Sequence, residues 1–509
     1  MLVADSRAAP AGPEAPGSVA SDFEAVPGAR VPVAPETLPS YEPGVAEALG
    51  LDRYGLRVVD PDPILTVASH DGGEECFVLP RNREDARAAV AARSAADGKA
   101  WDDFADELAP MEGFLGRLLH RPPLELGTSF SEALPAALGA LGLRGRRLNE
   151  LLRALPMALR DLLDDHFETA ALKAALAGPV LTGIRLGPRD PGTAGLFLHN
   201  HAFASGGPGG WIRMFRGGAE AVRRALLGAV QVADAEVLQP SPGVRRIVLE
   251  PARGGVRATG VELTDGRTIR AGTVIADQSP EAVFLRWVGA RNLPPDFVHN
   301  VRCFRYRGVA ARVGIALSRL PRWRGSPPGV SPEHDPRYAG IIQVGADLEV
   351  LERAADAWKY GEMAEKPLVL AAFPSIHDPG LAPEGRHVLA ATVQAVPAAA
   401  GAPLREQVAE SALGALKGPF PEIRQVVEGL RVLTPSDLEA NFGLAGGSFY
   451  QGEPTLDQLY SMRPVPGFAR HRTPVAGLYL TGPASYPYGG LHGISGRNAA
   501  RAVGEDRSS

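Results

Sequence analysis

"GLYLTGPASYPYGGLHGISGRNAARAV", residues 477 to 503, is the stretch on which the reading of this chain turns. Gly477 to Leu480 is a short apolar run that predicts a buried strand, and Gly482 follows at its carboxyl end. A loop with Gly489, Gly490 and Gly493 then leads into SGRNAARAV, which has helix-forming composition. Glycines there let backbone N–H groups approach a ligand, and the N-terminus of the next helix favours an anionic group. A strand-to-helix turn of this kind also occurs where nothing binds, so the choice rests on the rest of the chain.

The opening residues, "MLVADSRAAPAG" (1 to 12), bear on it directly. Met1 to Ala4 is an apolar run ending at an acid, Asp5, in the manner of the second strand of a dinucleotide-binding βαβ unit. In such a unit that acid holds a ribose hydroxyl, and the glycine loop that holds the pyrophosphate lies about 20 residues earlier. No G-x-G-x-x-G precedes Asp5, and "GGPGG" at 206 to 210 lacks the spacing and the strand-loop-helix context.

Composition sets the frame. With 509 residues, 45% hydrophobic and 22% charged, the chain is long enough for two or three cores and suits a two-domain enzyme. A net charge of −5 offers no basic field, which argues against a nucleic-acid partner. The two cysteines, Cys76 and Cys303, are far apart and form no C-x-x-C, so a disulfide framework, a thiolate zinc site and a dithiol redox pair are not supported. No apolar run reaches the roughly 18 residues of a membrane span, and no secretory leader pattern is seen. The expected location is cytoplasmic, with peripheral membrane contact open and oligomeric state unread.

Residues 8 to 48 are rich in Pro, Ala and Gly and read as loop or extended connection. Asn82 to about Leu119 has helical periodicity, and a second helical block starting "RRLNELLRALPMALRDLL" is broken at Pro156; together they predict a helical cap. Ala235 to Pro280 alternates as strands, with Asp265-Gly266 as a hairpin turn, and 300 to 450 mixes strands and helices. "DGGEEC" at 71 to 76 reads as a polar hairpin turn, and the Asp164-Asp165 pair as a solvated helix face. In "HNH" at 199 to 201, the two histidines would share one face of a strand, but no third ligand is near and no metal site is predicted.

The C-terminal run resembles the last flavin-contacting segment of the phytoene desaturase-like FAD-dependent oxidoreductases, within the amine oxidase group, in the branch called pyridine nucleotide-disulfide oxidoreductase domain-containing protein 2. The resemblance continues through "PRDPGTAGLFLHN" (188 to 200), "RGGAEAVRRAL" (216 to 226), "PSIHDPGLAPEGRHVL" (374 to 389) and "TPSDLEANFGLAGGSFYQGEPTLDQLYSMRPVPGFARHRTPVAGLYL" (434 to 480). It implies an α/β fold: a Rossmann-like FAD-binding domain assembled from residues 1 to 20, 205 to 290 and 455 to 509, with an inserted α+β substrate and helical cap domain at 21 to 204 and 291 to 454. On this resemblance Asp5 is the ribose-binding acid, Arg7 and Gly12 are remnants of the region after the second strand, and Val244 contacts the adenine side through its backbone. Gly482, Gly489, Gly490, Leu491 and Gly493 run along the flavin, with Arg497 and Asn498 opening the helix behind. The implied cofactor is FAD, held non-covalently.

The chain departs from the family in lacking the first βα of the Rossmann unit. That loop normally gives the pyrophosphate charge-assisted hydrogen bonds worth about 1.5–3 kcal/mol each, plus a dipole contribution of about 0.3–2 kcal/mol. Losing about 5 kcal/mol would weaken binding by three to four powers of ten. The favoured expectation is a start site placed too far downstream, with about 30 residues missing; the competing one is a short form that binds FAD weakly or receives the element from another chain. Within the loop, Tyr486-Pro487-Tyr488 replaces the family's His-Pro, and His492 is added beside Gly493. Tyr486 and Tyr488 either line a substrate channel or aromatic cage, or pack against the substrate domain; His492 is either a proton shuttle or a packed histidine. Gln451 stands where the family often has histidine, which weakens general-base catalysis there. The function expected is an FAD-dependent oxidoreductase removing hydride from an apolar or amine-type small molecule. The alternative is a flavin-free scaffold of the same fold that binds an apolar ligand.

Overall fold

"AARVGIAL", residues 310 to 317, is apolar at nearly every position, and the strand it forms is buried along its whole length. A strand without a polar face must be covered on both sides, and that requirement organises the molecule. The computed structural model describes residues 2–3, 20–39, 41–73, 76–123, 145–203, 209–238, 243–327, 329–398 and 401–508. In chain order its strands are β1 (Leu2–Val3), β2 (Asp22–Val26), β3 (Ala29–Pro32), β4 (Val58–Val59), β5 (Leu65–Ala68), β6 (Phe77–Leu79), β7 (Met214–Phe215), β8 (Glu236–Val237) and β9 (Val244–Ala252). They continue with β10 (Gly255–Leu263), β11 (Thr268–Arg270), β12 (Val274–Ala276), β13 (Ala310–Leu317), β14 (Ile341–Val344), β15 (Val369–Ala372), β16 (His387–Gln394), β17 (Val427–Leu433) and β18 (Leu478–Leu480).

The large sheet runs β17-β13-β16-β15-β14-β5-β6. Its pairs are antiparallel except β14 with β5. Side chains alternate across it. Val313, Ile315 and Leu317 enter one core with Trp323, Phe373 and Phe420. Ala310 and Ala316 face the other, which holds Phe23 and Val31 of the β2–β3 hairpin and the helical block. Gly314 is glycine because that hairpin lies against it: a Cβ there would come within 2.9 Å of the Phe23 ring.

A second group of strands forms three small sheets apart from the large one. β1 pairs parallel with β8, and β12 pairs parallel with β18. β9, β10 and β11 form an antiparallel sheet that turns at Asp265 and Gly266. Ile247, Ala258, Phe284, Phe297, Leu478 and Leu480 make its core. The expected helical block is present as Arg83–Ala91, Ala95–Leu119, Arg146–Ala154, Leu159–Asp164 and Ala170–Leu181, with the break falling at Leu155 to Ala158 around Pro156. Asn82 and Ser94 cap the first two through side-chain oxygens, as their residue types favour. Asp164 and Asp165 are ion-paired to Lys173, Arg160 and Arg153 on the exposed face. Within 71 to 76, Glu74 and Glu75 lie outside the described residues, and the segment joins the antiparallel pair β5 and β6.

One expectation is corrected. The "HNH" segment is not a strand; it closes the helix Thr193–His201. Residues two apart on a helix are about 200° apart around its axis, so the two histidines meet different neighbours. His201 packs its ring on Trp211, with Nδ1 against the Phe197 carbonyl and Nε2 accepting the Gly209 N–H. His199 turns toward Phe203 and Tyr488. An apolar run such as AGLFL suits a buried helix and a buried strand equally by periodicity; tertiary burial on all sides decided it here.

Candidate functional site

The parallel strands β12 and β18 end side by side, since the Thr481 N–H donates to the Ala276 carbonyl at 2.8 Å. The carboxyl ends of parallel strands are where α/β folds place ligands. From there the chain passes through Gly482, Gly489, Gly490 and Gly493, all in the left-handed region (φ +86°, +75°, +69° and +74°), before the helix Ile494–Ser508 begins. At Gly490 the requirement is also steric, because a Cβ would run into the Pro39 carbonyl, which instead accepts the Leu491 N–H at 3.0 Å. A hydroxyl chain ties the strand end to the helix start: Ser495 Oγ lies 3.0 Å from Thr481 Oγ1 and 2.6 Å from Ser485 Oγ, which donates to the Gly482 carbonyl at 2.8 Å.

At the first turns of that helix several polar atoms are buried with nothing to bond. Asn498 is 1% exposed and neither Oδ1 nor Nδ2 has a partner. Arg497 leaves Nε and Nη2 equally unpartnered, and burial together with the nearby Arg501 lowers its pKa, opposed by Glu42. Buried polar groups are nearly always satisfied. Unpaired guanidinium and amide donors at a helix N-terminus, under a glycine-lined loop, suit a phosphate-bearing group, so the residues present fit the implied FAD.

The other loop residues build an aromatic cluster against the helical block. Tyr486 is 1% exposed and its hydroxyl donates to the Leu118 carbonyl at 2.8 Å. Tyr488 is also buried, with its ring centroid 4.4 Å from that of His199 and 5.8 Å from that of Tyr450. Burial raises both tyrosine pKa values. His492 stacks on Phe203 at 4.9 Å and accepts the Ile494 N–H on Nδ1 at 3.2 Å, and burial pushes its pKa down to about 4. His199 is pushed down to about 3 by burial and by His492. The Tyr488 main chain beside the ring opposes that shift, and apart from it the ring nitrogens of His199 have no partner.

Beneath the loop lies Arg463, fully buried and undetected in the sequence. Its Nε donates to the Pro483 carbonyl, Nη1 to those of Glu453 and Gln458, and Nη2 to those of Tyr450 and Gln451. The cation sits between Phe304 and Tyr488, and burial lowers its pKa to about 10. Apolar neighbours in "MRPVPGF" were the available hint. Gln451 adopts φ +48° and keeps Oε1 buried without a partner.

Of the remaining sequence-derived site residues, Asp5, Arg7 and Gly12 lie outside the described residues. Val244 opens β9 opposite Leu263, in the antiparallel sheet and not in the glycine loop. Cys76 and Cys303 are free thiols. No helix among the described residues is long and apolar enough to cross a membrane.

No protein-family model matches the chain. It is 28% identical over 515 residues to pyridine nucleotide-disulfide oxidoreductase domain-containing protein 2 of Mus musculus, covering 96% of this chain and 87% of the relative. It is 26% identical over 299 residues to the neurosporene-forming phytoene desaturase of Cereibacter sphaeroides, covering 53% and 51%. Among solved structures, an oxidoreductase from Methanosarcina mazei superposes with a TM-score of 0.53 at 14% identity, covering 96% of this chain and 92% of the other. Putrescine oxidase bound to putrescine gives 0.53 at 14% identity, covering 92% and 87%. The chain is thus similar along nearly its whole length to pyridine nucleotide-disulfide oxidoreductase domain-containing protein 2, and it has the mixed α/β fold of putrescine oxidase.

Proposed function

We propose that the protein is an FAD-dependent oxidoreductase that removes hydride from an apolar or amine-type small molecule. The observation that carries this reading is the set of buried atoms without hydrogen-bond partners, Arg497 Nε and Nη2 and the Asn498 amide, at the start of the Ile494–Ser508 helix, after a loop whose glycines lie in the left-handed region. These residues would hold the phosphate-bearing part of FAD, with Gly482, Gly489, Gly490, Leu491 and Gly493 along the ring system and Val244 on the adenine side. Bound FAD would supply the hydride acceptor. The chain's own groups would bind and orient: Tyr486 and Tyr488 shape the apolar wall, His199 and Phe203 close it from the helical block, and their burial excludes water. Residues 1 to 20, 205 to 290 and 455 to 509 would form the flavin unit, and 21 to 204 with 291 to 454 the substrate unit.

The test is the visible spectrum of the purified protein after incubation with FAD and removal of free cofactor. A retained flavin spectrum that is lost in Arg497→Met supports the reading. A colourless protein at high FAD concentration ends it and leaves a flavin-free binding scaffold.

A further inference from the structure

The aromatic cluster holds a positive charge of its own. The Arg463 guanidinium lies 5.3 Å from the Phe304 ring centroid and 5.5 Å from that of Tyr488. All its hydrogen bonds run to main-chain carbonyls and none to a carboxylate. Aromatic faces are the usual receptor for a ligand ammonium, and here the protein's own cation occupies that position. A second cation nearby would meet repulsion in a poorly screened interior.

The same cluster holds polar atoms with nothing to bond. His199 is 2% exposed, and apart from the Tyr488 main chain beside it, which opposes the lowering of its pKa, its ring nitrogens have no partner. The Tyr460 hydroxyl oxygen is buried and unpartnered too, with its ring 6.0 Å from that of His199. A neutral imidazole offers one donor and one acceptor, and a phenol offers both. Such groups match a ligand oxygen that is uncharged.

We propose that the substrate presents an uncharged oxygen, that of an alcohol, aldehyde or ketone on an apolar body, to His199 and Tyr460, and that Arg463 makes the site discriminate against ammonium ions. The proposal rests on the aromatic cluster being the substrate site of the oxidoreductase described above, and it narrows that reading's two substrate types to one.

Three probes with one skeleton separate the cases: naphthylmethanol, protonated naphthylmethylamine and methylnaphthalene. Binding to the FAD-incubated protein is read from probe fluorescence, and flavin content is read separately by absorbance, so that failure of the flavin reading is seen on its own. The alcohol is expected to bind at least about tenfold more tightly than either other probe, a difference of one power of ten in Kd. In His199→Phe that advantage of the alcohol over methylnaphthalene disappears. His199→Gln, which keeps a donor and an acceptor, retains part of the advantage and serves if phenylalanine disturbs folding. The proposal is overturned if the ammonium binds as tightly as the alcohol, if the advantage survives His199→Phe, if all three probes weaken equally, or if none binds.

Discussion

Arg463 donates from Nε to the carbonyl of Pro483 and places its guanidinium 5.5 Å from the ring centroid of Tyr488, so one buried cation grips both sides of the Pro483–Tyr488 turn. A charge in that position stays buried only because main-chain carbonyls from two segments surround it. It is a structural keystone as well as an electrostatic feature of the site.

Replacing Arg463 by Met should therefore destabilise the protein by about 3 kcal/mol or more, because several buried carbonyls lose their donor at about 1–3 kcal/mol each. Urea unfolding followed by tyrosine and tryptophan fluorescence measures it. A loss under about 1 kcal/mol would mean that the carbonyls find other partners.

Gly490→Ala forces a side chain into the left-handed region and against the Pro39 carbonyl. The conformational part costs about 1–2 kcal/mol, and the Leu491–Pro39 hydrogen bond is lost with it. A lower midpoint of thermal unfolding, with flavin retention reduced more than stability, is the expected result. Gly504→Ala, near the far end of the Ile494–Ser508 helix with open space around it, should leave flavin retention unchanged and raise stability by up to about 1 kcal/mol through helix propensity, and it is the control.

Asn498→Leu separates a binding role from a structural one. Because the amide atoms have no partner in the protein, removing them should leave cofactor-free stability unchanged or raise it by up to about 1 kcal/mol. FAD affinity should fall by about 10- to 100-fold, the worth of a hydrogen bond to a charged group. Reduced cofactor-free stability with unaltered FAD binding would contradict the assignment.

Acid should unfold the protein cooperatively. Burial holds His199, His201, His471 and His492 neutral, with pKa values pushed down to about 3 or 4. Unfolding lets them take up protons, so their stabilisation is complete above about pH 6.5 and is lost as pH falls toward about 4. Asp22 and Glu112 work in the opposite sense. Burial raises them to about 6 and about 7, so their contribution is present at low pH and is lost as pH rises through those values. The four imidazoles outnumber the two carboxyls, and a net fall of up to about 3 kcal/mol per pH unit is expected between about pH 6 and 4.5. Urea midpoints across that range measure it, and Asp22→Asn should raise stability at neutral pH while steepening the acid decline.

The local elements were readable because each rests on a short-range rule. Asp265-Gly266 meets the backbone demand of a hairpin, Pro156 breaks a helix, and the alternation between 235 and 280 fits half-covered strands. The β2–β3 hairpin was hidden in a Pro-rich stretch, since its burial comes from packing on Gly314 far along the chain. The "HNH" helix was misread for the same reason: a uniformly apolar run carries no period to choose by.

By itself, then, the amino-acid sequence determined the strand-glycine-helix turn at 477 to 503, the helical block, the absence of a cysteine pair and the similarity to a flavin-dependent family, all of which depend on residue type and close spacing. Tertiary structure alone decided which polar groups meet. It brought Arg463 under Tyr488, turned His199 to the aromatic cluster, and left Arg497 Nε and Nη2 and the Asn498 amide without hydrogen-bond partners. Those outcomes depend on desolvation and on neighbours hundreds of residues apart, and no local pattern in a sequence encodes them.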